Sequence, residues 1–488
     1  MKTRPVRIRF LLAVLLLGLA SDIATAQRGG GRGLGRGRGA AQVPVEDRGI
    51  RIQTDRALPG YTLFAPLTSG TTYLIDMEGQ VVRTWASDFA PSAWVYMREN
   101  GNLVRGGREP ETAGFSGGGQ GGRFQEFTFD GELIWDFSLN DEGHLPHHDV
   151  ALLPNGNLLA VVWELKTPEE ARRAGRRENL ISDRGLWPDM LVEFEPRPPG
   201  GARIVWEWHT WDHLIQDLDP NRPNYGDPGQ HPERIDINGD DAAANANPPP
   251  NPPTDIFHTN SVAYNPELDQ IILSVPNFNE VWVIDHSTTS EEARGTTGGR
   301  SGKGGDLLYR WGNPQKYARG TPADQRLGFQ HDARWIPPGR PGEGHIMIFS
   351  NRTPGPEGTY SRVYEIAPPV DAEGRYTIPA GGPFGPAEPV WTYADAAFDA
   401  TYISGAERLP NGNTLISSGP QGRLFEVSAA GEIVWEYWSP VSGGFLSGNG
   451  AANPFSIFRA IRIPEDHPAL AGRDLAPPDP QPAPAAPQ

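Results

Sequence analysis

The sequence predicts an all-β protein: a six-bladed β-propeller closed by strands from both termini, with long loop insertions on one face. Three observations carry this. A strand–turn–strand phrase ending in tryptophan recurs, a strand with a tight Asn-Gly turn recurs between its copies, and the unpaired phrases at the two ends of the chain complement each other.

The chain opens with Lys2, Arg4, Arg7 and Arg9, an apolar run from Phe10 to Ala20, and then Ala24-Thr25-Ala26. This order of charge, short apolar run and small residues is that of a secretory signal peptide over 1–26, cleaved before Gln27. No later segment approaches the ~20 apolar residues of a membrane helix, so the expectation is a periplasmic or secreted protein with no membrane partner. Residues 27–60 form a leader whose Gly/Arg-rich part, 27–42, has almost nothing to bury. The propeller is expected over 61–465, followed by a Pro/Ala-rich tail over 466–488.

Within the propeller, the tryptophan phrase is clearest at Leu74–Trp85, Phe127–Trp135 and Phe425–Trp435, with weaker copies ending at Trp206, Trp311 and Trp391. Its partner is Leu152-Leu-Pro-Asn-Gly-Asn-Leu-Leu159, again Leu409–Ile416, and a degenerate copy at Glu99–Leu103. Asn-Gly tolerates the positive φ of hairpin turns, so these are hairpin tips. One pair of phrases supplies about four strands, which is one blade. The phrase at 61–85 lacks a preceding strand and Ser456–Ile463 lacks a following one, so joining them closes the ring and removes open edges. Insertions at 164–190, 209–257 and 286–306 gather as a rim or lid, with a short surface helix predicted over Glu169–Arg177. The run Asp236–Asp241 is rich in oxygen ligands but lacks an EF-hand's ligand pattern, which favours a solvated loop over a calcium site.

The chain has no cysteine, so burial and hydrogen bonding alone hold it together. A net charge of −17 repels nucleic acid and anionic membrane. An anionic substrate then needs local donors.

Aligned on the repeat, the inner strands begin near Ala93, His148, His258, His331, Ser404 and Phe458. Three of the eleven histidines therefore occupy equivalent positions beside the axis. His147 is a rival for the first place, but His-Asp recurs at His331-Asp332 and favours His148. On a regular strand Asp149 and Asp332 point away from their histidines, so an Asp-His relay does not follow and binding of turn amides is the plainer role. Bracing of blade contacts is the plain alternative for the histidines themselves.

These segments together resemble the bacterial arylsulfate sulfotransferases, the arylsulfotransferase family of exported six-bladed propellers. The residues that carry the resemblance are His148-Asp149 before Leu-Pro-Asn-Gly-Asn, Asp255-Ile-Phe-His258-Thr-Asn260-Ser, Gln330-His331-Asp332, and Ser404-Gly405 before a second Leu-Pro-Asn-Gly-Asn. The resemblance implies transfer of a sulfuryl group from an aryl sulfate to a phenol, with no nucleotide donor, cofactor or metal. It implies His331 as the nucleophile that becomes transiently sulfated, His148 and His258 as its catalytic neighbours, and Asn260 as a sulfate contact. Ser404 is placed with the substrate-binding residues. The chain departs from the family where an arginine is expected and Pro276 stands. Arg352 is the candidate donor in its place, against a surface salt bridge as the plainer use.

Two other function classes are compatible with the residues. Three neutral imidazoles can form an open zinc or copper site, and a propeller can bind a ligand without turnover. A homodimer stays open.

Overall fold

The computed structural model describes residues 43–479 and 481, apart from 113, 245–251, 357, 396–397 and 444–452. The signal peptide, the Gly/Arg-rich part of the leader, 27–42, and residues 480 and 482–488 of the expected tail lie outside the described residues. The earlier part of the tail is described, with a 3-10 turn at Pro468–Leu470 whose Ala469 and Leu470 are buried.

Six sheets of four or five strands are built around the chain in sequence order. From inner to outer strand, blade I is Ile457–Pro464, Gly60–Pro66, Thr71–Ile75 and Val81–Ala86, and blade II is Pro91–Met97, Leu103–Arg108, Gly122–Phe127 and Leu133–Ser138. Blade III is His144–Leu152, Leu158–Glu164, Asp189–Arg197 and Gly201–His209, and blade IV is Ser261–Asn265, Gln270–Val275, Glu280–Asp285 and Tyr309–Trp311. Blade V is His331–Trp335, Ile346–Gly355, Gly358–Ile366 and Trp391–Tyr393, and blade VI is Gly405–Arg408, Thr414–Ser418, Arg423–Val427 and Ile433–Trp438. In blade I the strand from the C-terminal end runs antiparallel to Gly60–Pro66, with Leu63 opposite Ile461. Gly49–Gln53, inside the segment 27–60 that composition placed in the leader, adds a fifth strand to blade VI against Ile433–Trp438.

The recurrent tryptophans explain themselves at the blade boundaries. Trp85 Nε1 donates to the Thr128 carbonyl (3.0 Å), Trp135 to Gly201 (2.8 Å), Trp311 to Pro386 (2.8 Å) and Trp391 to Ala429 (3.0 Å), each in the following blade. Trp206 uses the Thr288 hydroxyl instead (3.3 Å), and Trp435 of blade VI reaches the Met77 carbonyl of blade I (3.0 Å). An outer-strand indole thus fills the gap between blades with apolar area while its N–H finds a buried partner.

The Asn-Gly-Asn turns have a similar logic. Gly101, Gly156 and Gly412 take the positive φ at each tip. The second asparagine then crosses to a glutamate on the third strand: Asn102 to Glu126 (2.8 Å), Asn157 to Glu193 (2.5 Å) and Asn413 to Glu426 (2.7 Å). The repeat is therefore a turn plus a side-chain tie.

The insertions pack onto blades III and IV. The helix in 164–190 is Pro168–Arg173, started by a Thr167/Glu170 capping box. It stops short of the predicted Arg177 because Arg176 turns inward, where its fully buried guanidinium pairs with Asp240 (2.5 Å). Asp241 of the same oxygen-rich run pairs with Lys316 (2.7 Å). The insertion 286–306 packs along the outer strand of blade III, where Trp208 Nε1 donates to the Gly305 carbonyl (2.8 Å) and His213 bridges Asp306 and the Ala293 carbonyl. No helix among the described residues is long and apolar enough to cross a membrane.

Candidate active site

The inner strands of blades III and V depart from regular pairing where their histidines stand. Between Pro146 and Val150, three residues oppose the single Val161, and between His331 and Arg334 two residues oppose Ile348. Such bulges re-aim side chains. The backbone pays in conformation: His148, His258 and Asp332 have φ values of 55°, 60° and 53°, a region costly for non-glycine residues and common at functional sites.

His148 and His258 come together with ring centroids 4.5 Å apart at 73°. His331 joins them across an aromatic floor, its ring 5.8 Å from Phe329 and 6.1 Å from Phe458. Those same two rings lie 6.2 Å from His258 and 6.3 Å from His148 respectively. Above them, the Gly117–Gly119 run crosses the imidazoles so closely that a Cβ on Gly119 would fall 2.3 Å from the His148 ring.

Each imidazole has a different electrical environment. His331 Nδ1 lies 2.7 Å from Asn351 Oδ1, while Asn351 Nδ2 donates to the carbonyls of Ala400 (2.6 Å) and Ile403 (2.7 Å). The amide is thereby oriented, its oxygen can only accept, and so Nδ1 carries the proton and Nε2 the lone pair. Burial pushes the His331 pKa down to about 3, against the opposing effect of the Asn351 bond. His148 is held well below the ordinary histidine value by burial and by the neighbouring His258, His147 and His331.

His258 goes the other way. Burial lowers its pKa, but the charge and hydrogen bond of Asp255 and the charge of Asp189 outweigh that and raise it. Asp255 holds both the His258 backbone N–H (2.9 Å) and Nδ1 (2.5 Å). The site therefore combines two neutral imidazoles with one that favours the cation.

The remaining sequence candidates are placed as follows. Asn260 is fully buried, with Nδ2 on the Gln330 carbonyl (2.8 Å), next to the nucleophile candidate. Arg352 lies over the Phe329 ring at 4.6 Å, its Nε donating to the Thr401 carbonyl (3.0 Å); among the described residues it makes no salt bridge. Ser404, at φ 94°, accepts from the Gly419 N–H (3.0 Å) and sits in the wall of blade VI. Pro276 is in the turn between the second and third strands of blade IV, its carbonyl accepting from Asn279 N–H (3.0 Å).

Asp149 and Asp332 do bind amides, as expected, but in the next blade: Val262 N–H (3.1 Å) and Ala406 N–H (2.9 Å). Their other oxygens share the buried Arg459, which reaches Asp332 at 3.1 Å and pairs with Asp149 on its other arm. This ion cluster lies behind the histidines. Sequence reasoning assigned no role to Arg459, Asp189 or Asn351; His147 was weighed there only as a rival of His148, and Asp255 stood in the His258 motif, three residues before that histidine, without a role of its own. Among the described residues no group of three or more His, Asp and Glu side chains is arranged to hold a metal ion.

The arylsulfotransferase family model matches residues 64–434. No curated protein matches the chain. Solved structures similar to it include a Bacteroides caccae protein of unknown function (10% identity, 83% of this chain and 99% of that one, TM-score 0.43). A periplasmic gluconolactonase of Pseudomonas aeruginosa (13%, 83% and 99%, 0.37) and virginiamycin B lyase of Staphylococcus aureus (11%, 81% and 85%, 0.36) are also similar. At these scores they bear on neither mechanism nor substrate. With the family match spanning all but the ends of the ring, the chain belongs to the arylsulfotransferase family.

Proposed function

We propose that the protein transfers a sulfuryl group from an aryl sulfate to a phenolic acceptor in two displacements through a sulfated His331, and does so outside the cytoplasm. The observation that carries this reading is the pinned tautomer of His331: Asn351 Oδ1 accepts the hydrogen bond of Nδ1–H, which leaves a neutral imidazole with its Nε2 lone pair available. A covalent intermediate divides one hard displacement into two easier ones. Family membership supports the aryl sulfate and the phenol as substrates.

Sulfuryl transfer, like phosphoryl transfer, spreads charge over the equatorial and leaving oxygens, so fixed donors dominate catalysis. His258, biased toward the imidazolium by Asp255, is the charged donor to those oxygens. Asn260 has a second amide N–H beyond the one spent on Gln330, and Arg352 has two NH2 groups beyond its Nε. These are the donors we assign where Pro276 replaces the family arginine. Ser404 is assigned to the binding wall. The charged, small-residue pattern of 1–26 supports export.

The test is release of chromophore from 4-nitrophenyl sulfate, accelerated by added phenol. A sulfate adduct on His331 should be captured by mass spectrometry when the acceptor is withheld. Equal inertness of wild type and His331→Ala, with aryl sulfate still bound in calorimetry, would instead identify a binding propeller.

A further inference from the structure

Behind His148 runs a buried chain of three titratable groups. His148 Nδ1 faces His147 Nδ1 at 2.7 Å, His147 Nε2 faces Asp189 Oδ1 at 3.2 Å, and Asp189 Oδ2 accepts the Thr259 backbone N–H at 2.7 Å. His147 is clamped flat on Trp163, with centroids 4.1 Å apart and planes 13° off parallel. All three groups are at most 3% exposed. The transfer reaction gives His147 no task, and gives Asp189 none beyond adding its charge to that of Asp255 on His258.

Two facing Nδ1 atoms at hydrogen-bond distance hold one proton between them: two protons clash and two lone pairs repel. That single constraint leaves two arrangements with both imidazoles neutral. In the first, Asp189 is a carboxylate accepting from His147 Nε2–H, His148 supplies the shared proton, and His148 Nε2 is a bare acceptor. In the second, Asp189 is a carboxylic acid donating to His147 Nε2, His147 supplies the shared proton, and His148 Nε2–H is a donor.

We propose that Asp189 and His147 form a proton relay that switches His148 Nε2 between donor and acceptor, so that His148 serves as general acid and base without becoming an imidazolium. The proposal rests on the sulfuryl-transfer reading. As His331 Nε2 forms its bond to sulfur, the sulfur–oxygen bond breaks with its electron pair on the aryl oxygen, which takes the proton from His148 Nε2. His148 Nδ1 receives the proton of His147 Nδ1, and His147 Nε2 receives the carboxyl proton of Asp189. In the second displacement the acceptor phenol attacks sulfur, the nitrogen–sulfur pair returns to His331, and the phenol proton runs back along the relay to Asp189.

The surroundings favour neutral rings and a remote carboxyl as proton store. Asp255 and His258 face Asp189 and His147, and His258 and His331 face His148. Burial and the Asp255 charge hold the Asp189 pKa well above the carboxylate range, opposed by the Thr259 bonds and by His258. Burial holds His147 down at about 3. A lone His148 would have to accept a charge beside the His258 cation; with the relay, the charge change occurs on Asp189.

Nitrogen-15 NMR of the imidazoles in the full chain tests the relay without turnover. We expect one strongly deshielded proton shared by His147 and His148, and His148 Nε2 passing from protonated to bare as pH rises with no imidazolium signal from either ring. In Asp189→Asn, the Thr259 N–H fixes the amide oxygen and the amide nitrogen donates to His147, so His148 Nε2–H should be locked at every pH. An imidazolium on His148 in wild type, or continued switching in the variant, overturns the proposal. This readout stands even if the protein turns over no aryl sulfate, which would count against sulfuryl transfer alone. In the active protein, in a single turnover without acceptor, Asp189→Asn should slow phenol release from phenyl sulfate at least about tenfold, within the usual range for general acid catalysis, and leave release of 4-nitrophenol, which needs little protonation, within about twofold. Equal losses on both, with an unchanged pH profile, would show a structural role only.

Discussion

His148 and His258 meet ring to ring at 4.5 Å, yet only His258 has a carboxylate on its Nδ1. The partner of His148 is another imidazole. Position on the repeat makes these histidines equivalent, and their second neighbours make them different.

Asp255→Asn should separate the two roles. The His258 pKa lies above the ordinary value, so activity that needs its cation is present at and below about pH 6.5 and is lost as pH rises through the raised value. Without the Asp255 charge the burial effect prevails, the alkaline limb of the pH–rate profile moves to lower pH, and activity at pH 7 falls about tenfold or more. Steady-state rates across the pH range check this.

Asn351→Leu should remove the group that pins the His331 tautomer. With Nδ1–H left unpaired, the ring no longer presents the Nε2 lone pair exclusively, and kcat should fall about 10–100-fold. Asn351→Asp keeps an acceptor for Nδ1–H but sets its other carboxylate oxygen against the Ala400 and Ile403 carbonyls, so it should retain more activity than Asn351→Leu without reaching wild type, while shifting the acid limb upward. Comparing kcat with KM in the two variants tests whether the loss lies in the chemical step.

Acid should destabilise the fold through the histidines held neutral. His147, His148 and His331 have folded values below the ordinary ~6.5, so the unfolded chain binds more protons as pH falls and stability is lost in that direction. Each contributes up to about 1.4 kcal/mol per pH unit below that value. His258, with its raised value, opposes this by a contribution present in acid and lost as pH rises. Denaturant unfolding of His331→Asn between about pH 7 and pH 5 should show a shallower loss than wild type.

Arg459→Met should be among the most damaging single changes. It leaves buried Asp149 without its ion-pair partner and Asp332 with Arg334 alone, a loss of about 3–5 kcal/mol. The two carboxylates also hold Val262 and Ala406 of the following blades, so the site should loosen as well. Denaturant midpoints measure the first effect, and aryl sulfate turnover the second.

The ring was legible because repetition survives in one dimension. Each Trp-terminated phrase and Asn-Gly-Asn turn is a local device whose bonds recur blade after blade, so counting copies counted blades. The three histidines were legible for the same reason. The strand Gly49–Gln53 was not, since five residues beside a Gly/Arg-rich leader carry no repeat, and their strand exists only because blade VI offers a free outer edge.

By itself the sequence determined the propeller, its blade count and its family resemblance, and it singled out the three histidines at equivalent places in the repeat. These follow from strand periodicity, turn chemistry and repeat length, all of which act between near neighbours. Only the tertiary structure decided which imidazole is neutral, which favours the cation and which nitrogen keeps its lone pair. Asp255, Asn351, Asp189 and Arg459 make those choices through burial and hydrogen bonds across blades, and no spacing along the chain encodes a distance between strands that meet only when the ring closes.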